Sequence, residues 1–168
     1  GQSGMLYSPS IDNHDNIWIA NPEHNQIRIF DDQGNTLRNL QGENSNLKEP
    51  IGIFCLPNGE YLIGDKSESA LKHFDAQDNL IHEVGKTGLG VDEIYFMAWH
   101  PKHGIFGADY WNNQIVHFNN KLQVQSIYHK PGRRAGQLGK VAGLSVCNDQ
   151  LAVGNFDGGK VQIFDLSS

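Results

Sequence analysis

Two cysteines in 168 residues, Cys55 and Cys147, are too few for a disulfide framework, and no Cys-x-x-Cys pair offers a zinc site. Both sit in apolar stretches, 51–56 and 144–147, where buried free thiols are expected. No apolar run approaches the roughly 20 residues a membrane helix needs. No window keeps a 3.6-residue apolar period, so little helix is expected. The Gly-x-Ser-x-Gly elbow, the phosphate loop and the His-Glu-x-x-His signature are all missing. Carboxylates fall in turns, so no general acid–base pair stands out. Basic residues are also scarce: 13 Lys and Arg face 19 Asp and Glu, a net charge of −6. That balance excludes a general nucleic-acid binder, which needs a basic surface.

Glycine is plentiful, at 19 residues, and marks many turns. The turns punctuate a repeat. Ile27-Arg28-Ile29-Phe30 recurs as Leu71-Lys72-His73-Phe74, as Ile115-Val116-His117-Phe118 and as Val161-Gln162-Ile163-Phe164. A second anchor, Ile17-Trp18-Ile19-Ala20-Asn21, recurs in the same register as Tyr61-Leu62-Ile63-Gly64-Asp65, Ile105-Phe106-Gly107-Ala108-Asp109 and Leu151-Ala152-Val153-Gly154-Asn155. A fixed period of this length denotes stacked supersecondary units. Each copy reads as four short strands; in the second these are 51–56, 61–64, 71–74 and 80–84, with turns at 57–59 and 75–79. The second strand is continuously apolar, which predicts sheets packed on both of its faces, as between neighbouring blades of a β-propeller.

The sequence therefore predicts one all-β, propeller-type domain over 5–168, with blades near 5–49, 50–93, 94–140 and 141–168. Residues 1–4 read as a cloning remnant before a start at Met5. No signal peptide is visible, which slightly favours a cytoplasmic location. The last blade lacks its outer strand, because only Asp165-Leu166-Ser167-Ser168 follow Phe164. The N-terminus cannot supply it, since 8–12 already serves as a first strand. An unpaired edge invites pairing with another chain. The expectation is a fragment of a larger propeller or a homo-oligomer whose subunits complete one another, with a closed four-bladed monomer third.

The run Asp12-Asn13-His14-Asp15-Asn16-Ile17-Trp18-Ile19-Ala20-Asn21, then Asn25-Gln26-Ile27-Arg28-Ile29-Phe30-Asp31 and Gly34-Asn35, resembles the NHL repeat. The second copy matches from Pro50-Ile51-Gly52-Ile53 through Phe74-Asp75, and Gly136-Gln137-Leu138 looks like the linker between repeats. Two departures are plain: Ser8-Pro9-Ser10 replaces the Gly-Ile opening, and Asn119-Asn120 replaces the Asp-Gly turn. The resemblance implies a binding face built from the loops joining strand two to three and strand four to the next strand one. It also implies protein or RNA partners, and distant relatives among axial-metal lyases and lactonases.

On that face His24, Tyr110, Trp111 and Phe156 are the candidate contacts, because exposed aromatics mark interfaces. The alternative is that Tyr110 and Phe156 wedge between blades. Charge is uneven: residues 1–110 hold 7 basic and 16 acidic groups, whereas 111–168 hold 6 and 3. Arg133 and Arg134, with Lys140 nearby, centre that basic surplus as a solvated loop or an anion site. Asn21, Asp65, Asp109 and Asn155 recur after strand two, and read as turn caps before they read as ligands for zinc or calcium. His73 and His117 alternate with Ile29 and Ile163 in the repeat, as a partly buried strand position would. His100 and His103 have a zinc-compatible spacing but no evident third ligand. The favoured function is a non-catalytic scaffold binding a protein partner, with no cofactor and no membrane. A metal-dependent lyase or lactonase-like enzyme is the alternative. Single-stranded RNA binding through Arg133, Arg134 and Trp111 comes third.

Overall fold

A computed structural model describes residues 7–41, 46–67, 70–85 and 91–167. Residues 1–4, Met5, and Glu68-Ser69 of the second blade's loop lie outside the described residues. The first blade comprises β1 (Tyr7–Ile11), β2 (Ile17–Asn21), β3 (Gln26–Phe30) and β4 (Thr36–Gln41). The second comprises β5 (Pro50–Cys55), β6 (Tyr61–Asp65), β7 (Ala70–Phe74) and β8 (Leu80–Val84). The third comprises β9 (Ile94–His100), β10 (Gly104–Asp109), β11 (Gln114–Phe118) and β12 (Val124–His129). The fourth has β13 (Val141–Cys147), β14 (Gln150–Asn155) and β15 (Lys160–Asp165). Every blade is an antiparallel meander in chain order, and the last has three strands. The only helical turn among the described residues is Pro22–His24. No helix of those residues is long and apolar enough to cross a membrane.

The turns between third and fourth strands follow one local rule. Asp31 Oδ1 accepts the amides of Gln33 and Asn35, and Asp75 Oδ1 accepts those of Gln77 and Asn79. Asn119 does the same for Lys121 and Gln123 with its amide oxygen, so Asn119-Asn120 keeps the turn despite its departure from the repeat. At the β9–β10 turn Gly104 has φ +89°, and a Cβ there would collide with the Phe118 carbonyl oxygen.

The chain divides into two units, residues 1–85 and 86–168. In the first, Trp18, Ala20, Ile27 and Ile29 of blade one pack with Ile53, Tyr61, Ile63 and Phe74 of blade two. The Trp18 and Tyr61 rings lie 4.8 Å apart, and Tyr61 stacks on Phe74 at 5.1 Å. In the second, Ala98, Phe106, Ala108 and Ile115 of blade three pack with Val141, Leu151 and Val153 of blade four, and Leu138 joins them. Fully burying each large side chain contributes about 1.5–3 kcal/mol, so these two seams carry most of the blade-to-blade cohesion within each unit.

Burial refines one expectation. β6 and β10 are buried at every residue, as strands packed on both faces must be. β2 and β14 alternate instead: Ile17 and Ile19 are only half-buried. The apolar run of β2 thus reflects the repeat, not two-sided cover. Cys147 also departs from expectation. It is exposed, because it ends β13 beside the Asn148-Asp149 turn, whereas Cys55 is half-buried.

Candidate functional site: a loop-face aromatic cluster

The residues that follow strand two organise the loops. Asp65 ends β6, is 1% exposed, and accepts the amides of Lys48 at 2.8 Å and Glu49 at 2.9 Å. It also accepts the Ser67 hydroxyl at 3.0 Å and the buried Lys72 ammonium at 3.2 Å. Asp109 ends β10 and accepts the Asp92 amide at 2.8 Å, with Asn112 Nδ2 and Gln114 Nε2 each at 3.0 Å. Asn155 ends β14 and its Oδ1 accepts the Gly139 amide at 3.0 Å. These side chains therefore staple the end of strand two to the segment entering strand one of the same blade. Asn21 takes a different role. Its Oδ1 meets His24 Nδ1 at 3.1 Å, which anchors the exposed His24 in the Pro22–His24 turn. Carboxylates that already accept three or four hydrogen bonds have their lone pairs occupied.

The stapled loops of the second unit gather an aromatic cluster. Tyr110 meets Trp111 edge-on at 5.1 Å and Tyr95 at 5.4 Å. Trp111 is 53% exposed, and its indole N–H donates to Glu93 Oε2 at 2.8 Å. The Tyr95 hydroxyl donates to the same oxygen at 2.8 Å. Lys140 Nζ lies 4.9 Å from the Trp111 ring and 5.3 Å from the Tyr110 ring, within cation–π range. The Phe156 amide donates to the Lys140 carbonyl at 2.7 Å, and the Phe156 side chain is 71% exposed. Phe156 therefore does not wedge between blades. Tyr110 is half-buried at the base of the cluster.

Arg133 and Arg134 are exposed on the linker before β13, and among the described residues the cation–π contacts to Tyr110 and Trp111 come from Lys140. That linker is tied outward instead: the Gly136 amide donates to Gln162 Oε1 at 2.6 Å, and Gln162 Nε2 donates to the Gln137 carbonyl at 2.8 Å. The cation that meets Tyr110 and Trp111 is Lys140. Glu93, which accepts from Trp111 and Tyr95, and Tyr95, which meets Tyr110, carry no motif signal in the sequence. Only their place beside a stapled loop, visible as the recurring Asp after strand two, pointed toward them.

His100 and His103 gain a third group in Asp149: one ligand-capable atom from each falls within 4.8 Å of the others. The hydrogen bonding argues against a cation there. His100 Nδ1 accepts the amides of Lys102 and His103, both at 3.1 Å, so the proton sits on Nε2, which faces Asp149 Oδ1 at 3.3 Å. A metal at Nε2 would need that proton moved to Nδ1, against two N–H donors. His100 here does the turn-capping that Asp12 does in blade one, where Oδ1 accepts the His14 and Asn16 amides. His73, 6% exposed, meets Glu60 at 2.8 Å, and half-buried His117 donates from Nε2 to the His103 carbonyl; both are strand positions with local partners.

No family model matches the chain, and no curated protein matches it. Among solved structures it is similar to a crystal structure of selenomethionine-substituted virginiamycin B lyase from Staphylococcus aureus, with a TM-score of 0.65 and 12% identity. That match covers all of this chain but only 57% of the lyase chain. At that identity the likeness establishes the fold alone: an all-β propeller fold whose fourth blade has three strands.

Proposed function

We propose that the chain is a non-catalytic binding scaffold that takes a protein ligand on the loop face of blades three and four. The observation that carries this reading is Trp111: a large ring, more than half exposed, yet fixed by Glu93 on its N–H and Lys140 over its face. A fixed aromatic gives contact area without a further ordering cost, which is how interface hot spots work. Phe156 extends the apolar area, and Lys140 favours an acidic residue in the ligand.

A peptide array bearing acidic and apolar sequences tests the proposal directly. Peptides bound by the parent protein should lose most of their signal with Trp111→Ala and a smaller part with Lys140→Ala. A peptide set bound equally well by Trp111→Ala would sink the assignment.

A second reading, an axial-metal lyase or lactonase-like enzyme, draws on the lyase name of the structural neighbour and on Asn21, Asp65, Asp109 and Asn155. Against it stand the hydrogen bonds that already occupy Asp65 and Asp109. Elemental analysis after dialysis separates the two readings: stoichiometric zinc or calcium retained on the protein would replace the scaffold with the enzyme.

A further inference from the structure

The linker that enters blade four reverses the charge of the linkers that enter blades two and three. In all three, the residue just before the first strand accepts the amide of the residue that follows strand two. The Glu49 carbonyl accepts from Lys66, the Glu93 carbonyl from Tyr110 and the Lys140 carbonyl from Phe156. The three positions are therefore equivalent, and two carboxylates give way to an ammonium. Asn155 changes in the same sense, because Asp65 and Asp109 hold its place in blades two and three. From Tyr110 to Asn148 the sequence holds Lys121, Lys130, Arg133, Arg134 and Lys140, and no Asp or Glu. The linker itself is a closed loop. The Leu138 amide donates to the Lys130 carbonyl at 2.8 Å, the Gly132 amide to the Leu138 carbonyl at 2.9 Å, and the Arg134 amide to Gln137 Oε1 at 2.9 Å. Lys130, Arg133 and Arg134 are exposed on it and, among the described residues, pair with no carboxylate. Like charges held on a fixed backbone repel one another, and an anionic partner relieves that repulsion.

We infer, on the footing that Trp111 contacts a protein ligand, that this ligand carries a run of acidic residues beside its apolar contact, received by Lys140, Arg133, Arg134 and Lys130. The cations lead outward from the aromatic cluster. Lys140 lies over the Tyr110 and Trp111 rings, whereas the arc beyond the arginines is tied to β15 through Gln162. Charges spread along a loop match a run of single carboxylates better than one phosphate dianion. The two guanidinium forks can each donate to both oxygens of a carboxylate.

Fluorescently labelled poly-L-glutamate is the probe, read by anisotropy at low ionic strength. A chain of net charge −6 repels a polyanion except where its cations are gathered, so saturable binding reports this surface. Affinity should fall several-fold between about 20 and about 200 mM salt as screening strengthens. Arg133→Glu with Arg134→Glu should weaken binding roughly tenfold or more, with an unchanged melting midpoint because both side chains are exposed. Trp111→Ala should leave polyglutamate binding nearly unchanged, since this probe has no apolar anchor; its effect on the array peptides tests the Trp111 contact separately. Absent binding, or equal binding by the arginine variant, would overturn the inference. Tighter binding of polyuridylate would overturn it in favour of nucleic acid, and tighter binding of a singly phosphorylated serine peptide in favour of a phosphate site.

Discussion

The two units of the chain repeat one design, and their blade-to-blade seams differ at a few positions. Trp18, Arg38 and Tyr61 in the first unit correspond to Phe106, Ser126 and Leu151 in the second. In the first, Asp78 accepts the buried Tyr61 hydroxyl at 2.9 Å and pairs with Arg38 at 2.5 Å. The Arg38 guanidinium also lies 5.5 Å from the Trp18 ring. This bridge splits the seam into clefts of about 260 and 190 Å³. The second unit replaces arginine with serine and tyrosine with leucine, and its seam holds a groove of about 310 Å³. The shared backbone therefore sets where a seam lies, while a handful of side chains decide what bridges it.

The largest contrast between the units is expected at their stapling carboxylates. Asp65 holds the Lys72 ammonium, with side chains 0% and 2% exposed, whereas the side-chain donors around Asp109 are the uncharged amides of Asn112 and Gln114. Asp65→Ala removes the buried carboxylate that pairs with the Lys72 ammonium and should cost about 3–5 kcal/mol. Asp109→Ala removes the acceptor shared by neutral donors and should cost about 1–3 kcal/mol. Urea unfolding of both variants, read at matched m-values, checks the difference. Equal losses would show that charge is not what separates the staples.

The seam bridge comes next. Asp78→Ala removes the acceptor of a buried tyrosine and should cost about 1–3 kcal/mol, nearly all of it through Tyr61. The Arg38 pair is 45% and 33% exposed at its two side chains, so its share is about 0–1 kcal/mol. Arg38→Ala measures that share alone. Ser126→Ala, at the matching place in the second unit, should stay within about 0.5 kcal/mol. A large loss from Ser126→Ala would break the comparison.

Much of this was legible in the sequence. The repeat gave the strands nearly residue by residue, because turn chemistry at Asp31, Asp75 and Asn119 fixes where each ladder restarts. The absent fourth strand of the last blade was equally plain. The cluster around Trp111 was only half legible. Tyr110, Trp111 and Phe156 stood out as aromatics in loops, but Arg133 and Arg134 drew attention over Lys140. Charge counting along a chain cannot tell which cation a linker turns toward the rings; the Gln162 bonds that tie this linker are contacts 25 and 26 residues long. The third group near His100 was hidden for the same reason, since Asp149 belongs to the next blade.

Acid should act on both units in the carboxylate range, where Asp165 is lowered by Ser167 in the second, and on the second unit at a higher pH as well. Burial alone would raise the Asp12 carboxyl, but hydrogen bonds from Trp18, Asn16 and the His14 and Asn16 amides hold it below its ordinary 3.8. Asp31 and Asp75 are lowered by Asn35 and Asn79. These groups bind fewer protons when folded, so their stabilisation is present above about pH 4 and is lost as pH falls through their native values. In the second unit, loss of water around His103 and then the nearby His100 push the His103 imidazole below its ordinary 6.5. The unfolded chain then takes that proton first, and stability declines as pH drops below about 6.5. His103→Asn should flatten the unfolding free energy between about pH 7 and pH 5, whereas Asp12→Asn should lower stability above about pH 4 and flatten the profile only below it. A His103→Asn profile that still falls across the upper range would place the sensitive group elsewhere.

The smallest effect separates the two thiols. Burial pushes the Cys55 thiol up to about 11, against the Ser10 hydroxyl and with help from the Asp12 charge. At pH 8 only about one molecule in a thousand would hold its thiolate, which is the reactive form. Cys147 is exposed at the end of β13. Iodoacetamide at pH 8 should therefore modify Cys147 first in the folded protein and reach Cys55 only in denaturant, as peptide mass mapping would record. Because Cys147 is exposed, the labelled protein should unfold within about 0.5 kcal/mol of the parent. Rapid labelling of Cys55 under native conditions would mean that the first unit opens at β5, and its bridged seam would then be the weaker of the two.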